Sequence, residues 1–205
     1  MFENTQIAFA SKSENDLKKS KNLFKLLRNP TLVKIGKICL HTAIFLRIPI
    51  NSIIKKLFFK QFCGGESIDD CQNLINELSQ FNVYSTLDYC VEGKKNSETK
   101  NKTFKSIYNT LEESTENPNI PFCVFKLSGV ITLISESYIT DFWCRKNTEK
   151  VKSLFKTAYE KNIPILIDAE ESWTQNGIDK ITELLMKEYN KEKVIVYNTV
   201  QLYRK

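Results

Sequence analysis

The spacing of apolar residues along this chain changes near residue 80. Before it the rhythm is helical throughout. Leu17, Leu23, Leu26 and Leu27 lie near a 3.6-residue period, predicting a helix that ends at Asn29-Pro30. Ile35, Ile38, Cys39, Thr42, Phe45 and Leu46 predict a second helix, limited by Pro49. Gly64-Gly65 breaks the chain. Ser67 then opens a further helix, with Asp70 three positions on as an acidic variant of the capping box. Ile68, Cys71, Leu74, Ile75 and Leu78 line its buried face.

After residue 80 short apolar runs alternate with amphipathic helical patterns. Strands are expected at Val83–Leu87, Pro121–Lys126, Ile163–Asp168 and Val194–Thr199. Between them, helices are expected over 98–113 (Phe104, Ile107, Tyr108, Leu111) and 148–161 (Val151, Leu154, Phe155, Ala158, Tyr159). A third carries Ile178, Ile181, Leu184, Leu185 and Tyr189. This alternation means βαβ units and a parallel sheet. Runs such as Ile-Pro-Ile-Leu-Ile suggest strands buried on both faces. An open doubly wound sheet and a closed barrel satisfy the pattern equally well.

Charge adds little. The 205 residues carry a formal net charge of +6, with Lys+Arg 30 against Asp+Glu 24, and much of the excess lies in the first sixty. No RNP-type motif, zinc-finger spacing or arginine-rich run points to nucleic acid, so a solvated basic helix face is the expectation. The most apolar stretch, 35–59, is interrupted by Lys37, His41, Arg47, Pro49, Asn51, Lys55 and Lys56. That excludes a spanning helix, which needs about 20 nearly unbroken apolar residues, and leaves a basic amphipathic contact with a membrane surface open. The six cysteines, Cys39, Cys63, Cys71, Cys90, Cys123 and Cys144, form no Cys-x-x-Cys pair, and the N-terminus carries no secretory signal. A reducing compartment and cysteines acting as small core hydrophobes are expected. With one histidine, no metal site is expected.

The candidate chemistry sits where strands end. The first run is followed by Asp88 and Glu92, the second by Lys126 and Ser128, the third by Asp168, Glu170 and Glu171, and the fourth by Asn198, Thr199 and Gln201. Loops at the carboxyl ends of parallel strands build active sites in α/β folds. A lysine ending an apolar strand needs a partner, because an isolated buried ammonium costs several kcal/mol; Asp168 and Asp88 are the candidates. The turn Tyr89-Cys-Val-Glu-Gly93 is not a Gly-rich phosphate loop, which argues against a Rossmann dinucleotide site.

The wording of these strand ends, in order and spacing, resembles the proline dehydrogenase family. The matching segments are Asn4-Thr-Gln-Ile-Ala-Phe9 with Lys12-Ser13, Phe62-Cys-Gly-Gly-Glu66 and Thr86-Leu-Asp-Tyr-Cys-Val-Glu92. Phe125-Lys-Leu-Ser-Gly129, Ile167-Asp-Ala-Glu-Glu-Ser-Trp173 and Val196-Tyr-Asn-Thr-Val-Gln-Leu-Tyr-Arg-Lys205 follow. The resemblance implies an α/β protein with an N-terminal helical arm, 1–80. The first half of a (βα)8 TIM-type barrel, about four βα units, would then occupy 81–205.

It further implies oxidation of L-proline to Δ1-pyrroline-5-carboxylate with FAD, in proline catabolism, and electrons passed to a quinone acceptor at a membrane surface. Lys126 resembles the active-site lysine of the second strand, and Asp168 the carboxylate that orients the site's cationic network. Gln201 resembles a glutamine beside the flavin. Asp88 and Glu92 match the first-strand motif. A cytoplasmic protein, peripheral on the inner membrane, is the expected setting.

Of the remaining polar residues, Glu170 and Glu171 are expected to cap the following helix. Trp173 is expected to pack against the barrel, Cys63 to belong to a tight turn with Gly64-Gly65, and His41 to be a helix-face residue of the arm. The family's later motifs, Lys-Gly-Ala-Tyr and Tyr-Arg-x-x-Arg, do not occur in residues 1–205. A full barrel needs roughly 250 residues. The expectation is therefore an incomplete fragment, inactive and poorly stable without its complementary half. The alternative is a non-catalytic half-barrel acting as a scaffold or partner subunit.

Overall fold

In the computed structural model, residues 3–89, 97–131 and 148–203 are described. The chain divides into two compact units, Met1–Val83 and Tyr84–Lys205.

The first unit is helical. It comprises α1 (Thr5–Ala8), α2 (Glu14–Leu27), α3 (Pro30–Phe45) and α4 (Asn51–Ile54), then a π-helical turn Lys55–Phe59, α5 (Lys60–Phe62) and α6 (Ile68–Ser79). Its helix starts are dictated locally. The Ser13 hydroxyl accepts from the Asp16 N–H at 3.2 Å, and the Asn29 side chain accepts from the Thr31 and Leu32 N–H groups. Pro30 therefore opens α3 at its first position, where a missing N–H costs nothing, and α3 begins five residues earlier than its apolar spacing indicates.

The end of α3 is a Schellman motif. Arg47 takes φ 55° and the Ile48 N–H donates to the Ala43 carbonyl at 2.9 Å. At α6 the capping box is complete: the Ser67 hydroxyl accepts from the Asp70 N–H, and the Asp70 carboxylate accepts from the Ser67 N–H. Gly65 is required beside it, because a Cβ there would lie 2.7 Å from the Asp70 Cβ and 2.9 Å from the Cys71 Sγ. Cys63 and the two glycines do form the break before α6, and His41 is exposed on α3. Of the predicted α6 face only Ile75 is fully buried.

The second unit is an α/β layer. It runs α7 (Ser97–Glu116), β1 (Cys123–Phe125), a 3-10 turn Leu127–Gly129, α8 (Glu149–Lys161), β2 (Ile165–Ile167), α9 (Ser172–Tyr189) and β3 (Val196–Asn198). The strands form one parallel sheet in the order β1-β2-β3, with Phe125 opposite Ile167 and Ile167 opposite Asn198.

The expected strand at Val83–Leu87 is reduced to a single parallel bridge, Leu87 to Cys123. Its backbone is drawn into other bonding: the Val83 N–H donates to the Leu78 carbonyl and the Ser85 N–H to the Asn119 carbonyl.

One sheet face carries the core. Cys123, Phe125, Ile165 and Ile167 pack with Ile107 and Leu111 of α7, Leu154 and Phe155 of α8, and Ile178, Ile181 and Leu185 of α9. Alternate strand residues Val124 and Leu166 are only half-buried. Burial on both faces, as the apolar runs suggest, is thus not what the described residues show: the helices cover one face.

The hydroxyls that reach the core are satisfied. Thr103, Thr110 and Ser114 on α7 donate to the carbonyls four residues back, at 2.9 to 3.1 Å. The cysteines divide. Cys123 is a buried core residue as expected, whereas Cys39 and Cys63 are exposed, because most of the first unit's helical surface lies open. Cys90 and Cys144 lie outside the described residues.

Candidate active site

Strand alternation decides which side chains can meet at the carboxyl end of the sheet. Phe125 and Ile167 are in register and buried in the core with the helices, and Lys126 and Asp168, both half-buried, are the next residues past these two strand ends. The Asp168 N–H donates to the Phe125 carbonyl at 3.0 Å, which locks this step, and the Asp168 Oδ1 accepts from the Ala169 N–H at 2.9 Å. Lys126 leads into the 3-10 turn that carries Ser128. On the β3 side, the Thr199 N–H and hydroxyl both donate to the Ile167 carbonyl, at 3.2 and 3.0 Å. Asp88 follows the Leu87 bridge and is exposed; burial chiefly, with the charge of Asp88 adding, pushes the Cys123 thiol up to about 12. Glu92 lies outside the described residues.

Glu170 does not cap the following helix with its side chain. Its carboxylate crosses to the end of β1, accepting from the Ser128 N–H at 3.0 Å and from the Ser128 hydroxyl. Each carboxylate oxygen is thus directed at the neighbouring turn, one at the Ser128 N–H and one at its hydroxyl, rather than at the helix terminus. Glu171 occupies the N-cap position without a side-chain cap bond, and its backbone carbonyl accepts from the Thr174 and Gln175 N–H groups instead. Trp173, expected to pack, is 81% exposed on the first turn of α9, where the core-facing positions are taken by Gln175 and Ile178.

Gln175 and Asp179 are the participants that pattern reading missed. Gln175 is fully buried; its Oε1 accepts from the Glu170 N–H at 2.7 Å and its Nε2 donates to the Asp179 Oδ1 at 2.8 Å. The same Asp179 oxygen accepts from Asn198 Nδ2 at 3.1 Å. One hydrogen-bonded chain therefore runs from the turn after β1, through Glu170 after β2, to the end of β3. The signal was in the sequence: a glutamine one helical turn before Ile178 stands on the apolar stripe of an amphipathic helix, and a buried amide there must be bonded.

Gln201 completes the rim. Its Nε2 donates to the Glu170 carbonyl at 2.7 Å, which fixes the amide's orientation, since only the nitrogen can donate. The Oε1 is buried and accepts no hydrogen bond, alone in that respect among the described residues. A buried, unpaired carbonyl oxygen costs about 1–3 kcal/mol. It fits a ligand that presents an N–H.

Comparison with known proteins sharpens what this rim belongs to. The family described as proline dehydrogenase matches residues 71–205, more than half of the chain. The chain belongs to the proline dehydrogenase family.

It is 28% identical over 201 residues to proline dehydrogenase 1, mitochondrial, of Dictyostelium discoideum, covering 76% of this chain and 35% of that protein. It is 25% identical over 265 residues to a probable mitochondrial proline dehydrogenase of Schizosaccharomyces pombe, covering 97% of this chain and 54% of that one. The chain thus spans from about a third to about half the length of these two curated relatives. Among solved structures it is similar to proline utilization A (PutA) of Bdellovibrio bacteriovorus inactivated by N-propargylglycine. The TM-score is 0.62 at 15% identity, covering 97% of this chain and 23% of that one, a likeness of fold. Its α/β organisation, with helices and a parallel sheet, fits that neighbour broadly.

Proposed function

We propose that this proline dehydrogenase chain supplies the helical arm and first βα units of a (βα)8 barrel. In this reading the barrel oxidises L-proline to Δ1-pyrroline-5-carboxylate with FAD and passes the electrons to a quinone at a membrane surface, where the protein makes a peripheral contact. The observation that carries the reading is the buried, unpartnered Gln201 Oε1 on the rim formed by the carboxyl ends of the strands. The residues present fit a flavin. An isoalloxazine ring offers an N–H of its own, and Gln201, held by Glu170, presents an acceptor whose unmet hydrogen bond such a donor would complete. When bound, FAD supplies the two-electron acceptor that proline oxidation requires.

The chain's own residues do the rest by position and charge. Lys126 and Asp168, each the next residue past the register pair Phe125–Ile167, put opposite charges at the carboxyl end of the sheet. Lys126 supplies a cation for the substrate carboxylate, and Asp168, fixed through its backbone bond to Phe125, orients the cationic side chains around it. Glu170 spans Ser128 and Gln201, so the lysine-bearing turn and the flavin-facing amide move as one body.

The test is anaerobic addition of L-proline to the FAD-loaded protein as its gene encodes it, read as bleaching of flavin absorbance. Bleaching is expected, and Lys126→Ala should slow it about 10²–10³-fold, the usual effect of removing one electrostatic contact to the reacting charge. A protein that binds no flavin, or that is not bleached by proline, belongs instead to the scaffold reading.

A further inference from the structure

Between Asp16 and Glu66 the sequence carries no acidic residue, while lysines and arginines recur from Lys18 to Lys60. The same segment exposes its apolar side chains. Helix α3 is apolar on nearly every side, a composition that soluble proteins bury, yet none of its residues is buried. Ile38, Ile44 and Phe45 are 62%, 60% and 85% exposed, and the apolar surface continues through Leu46 to Ile53 and Leu57. Lys34, Lys37 and His41, spaced three and four residues apart, share one flank of α3, and Arg47 follows in the turn. Lys55 and Lys60 are neutralised by Glu66 and Asp16, but Lys34, Lys37 and Arg47 make no ion pair among the described residues.

The partner must therefore offer an apolar phase and negative charge together. A nucleic acid would answer the cations and leave Ile38 and Phe45 in water. A membrane-spanning role fails on length. The 16 residues of α3 reach about 24 Å against a hydrocarbon core of about 30 Å. No helix among the described residues is long and apolar enough to cross a membrane. A helix with this make-up lies in the plane of the headgroups, its apolar side chains at the acyl boundary and its cations at the lipid phosphates. We infer that α3, with Arg47, Ile53 and Leu57, is a docking surface for anionic lipid. This deepens the membrane contact of the proposed function, and rests on it for its setting, by naming the surface and the lipid charge.

The experiment is co-sedimentation of the whole chain with vesicles of phosphatidylcholine, with and without phosphatidylglycerol, in the absence of flavin and proline. Binding is expected only with phosphatidylglycerol, and to weaken with salt. Lys34→Ala with Lys37→Ala should lower the partition coefficient about 25-fold, from about fivefold per cation at an anionic surface. Ile38→Ser with Phe45→Ser should lower it at every salt concentration, with the circular dichroism of the helices unchanged. Equal binding to neutral and anionic vesicles overturns the inference. So do variants that bind like the parent, or a chain that ignores vesicles but binds duplex DNA or an acidic protein. Because the readout needs neither cofactor nor substrate, its failure leaves the redox reading standing, and loss of turnover leaves the lipid surface standing.

Discussion

Replacing Gln175 with Leu tests whether the carboxyl ends of the three strands are held as one unit. The side chain is fully buried and makes two bonds, from the Glu170 N–H at 2.7 Å and to the Asp179 Oδ1 at 2.8 Å. Leucine is similar in size and can make neither. Leaving a buried N–H unmet costs about 1–3 kcal/mol, and a lost bond to a carboxylate about 1.5–3 kcal/mol. Burying the leucine side chain returns about 1.5–3 kcal/mol at most. The balance is a loss of about 1–3 kcal/mol, or a fall in Tm of about 2–12 °C for a chain of this length.

Thr182→Val on the same helix is the control. Thr182 is equally buried, but its hydroxyl only donates to the Ile178 carbonyl at 2.8 Å, so its removal should cost under about 1 kcal/mol. Urea unfolding gives the stabilities, and amide hydrogen exchange at Glu170 reports the bond directly. If Gln175→Leu is no less stable than Thr182→Val and Glu170 keeps its protection, the strand ends are not joined through Gln175.

The remaining expectations concern charge, thiols and backbone. The Asp16 carboxyl is held at about 2, by the Ser13 hydroxyl first and then by Lys60. A depressed folded-state value stabilises above the ordinary 3.8 and is lost as pH falls towards about 2. Carboxyl NMR shifts should therefore show Asp16 ionised at pH 3; a midpoint near 3.8 would refute the contact. Cys123, its thiol raised to about 12 by burial, should resist maleimide at pH 8 while exposed Cys39 and Cys63 react, and equal labelling rates would contradict the packing. Because that value is raised, its contribution is present below the ordinary 9 and is lost as pH climbs towards about 12. Gly65→Ala should cost about 1–3 kcal/mol, because the new Cβ meets the capping-box residues, and an unchanged Tm would show that the turn can move aside.

Much of the second unit was legible before any coordinates. The α8 and α9 helices appear where their apolar periods lie, because Leu154, Phe155, Ile178 and Leu185 can be buried only from one helical face. The β1, β2 and β3 strands are shorter than their apolar runs, since a ladder lasts only as long as both neighbours pair. At the rim, Lys126, Asp168 and Gln201 could be named from their position after a strand. That Glu170 reaches Ser128 rather than its own helix could not, since a carboxylate near a helix start has a local use and a long-range one with the same local sequence. Trp173 failed for the converse reason: an aromatic side chain favours burial, but the helical phase of α9 turns position 173 outward.

The sequence by itself determined the longer helices, α2, α3 and α6 to α9, three of the four expected strands, that these run parallel, and where polar residues return at strand ends. These follow from period, caps and breakers, and each acts over a few residues. Only the tertiary structure decided that the helices cover one face of the sheet and that the first expected strand contributes a single bridge. It alone placed a buried glutamine on α9 so that it joins residues 42 positions apart, Ser128 and Glu170, to Asn198. Such contacts depend on register between strands and on the phase of one helix against another. Both are settled by summing packing and hydrogen bonds over the whole unit, not by any short stretch of chain.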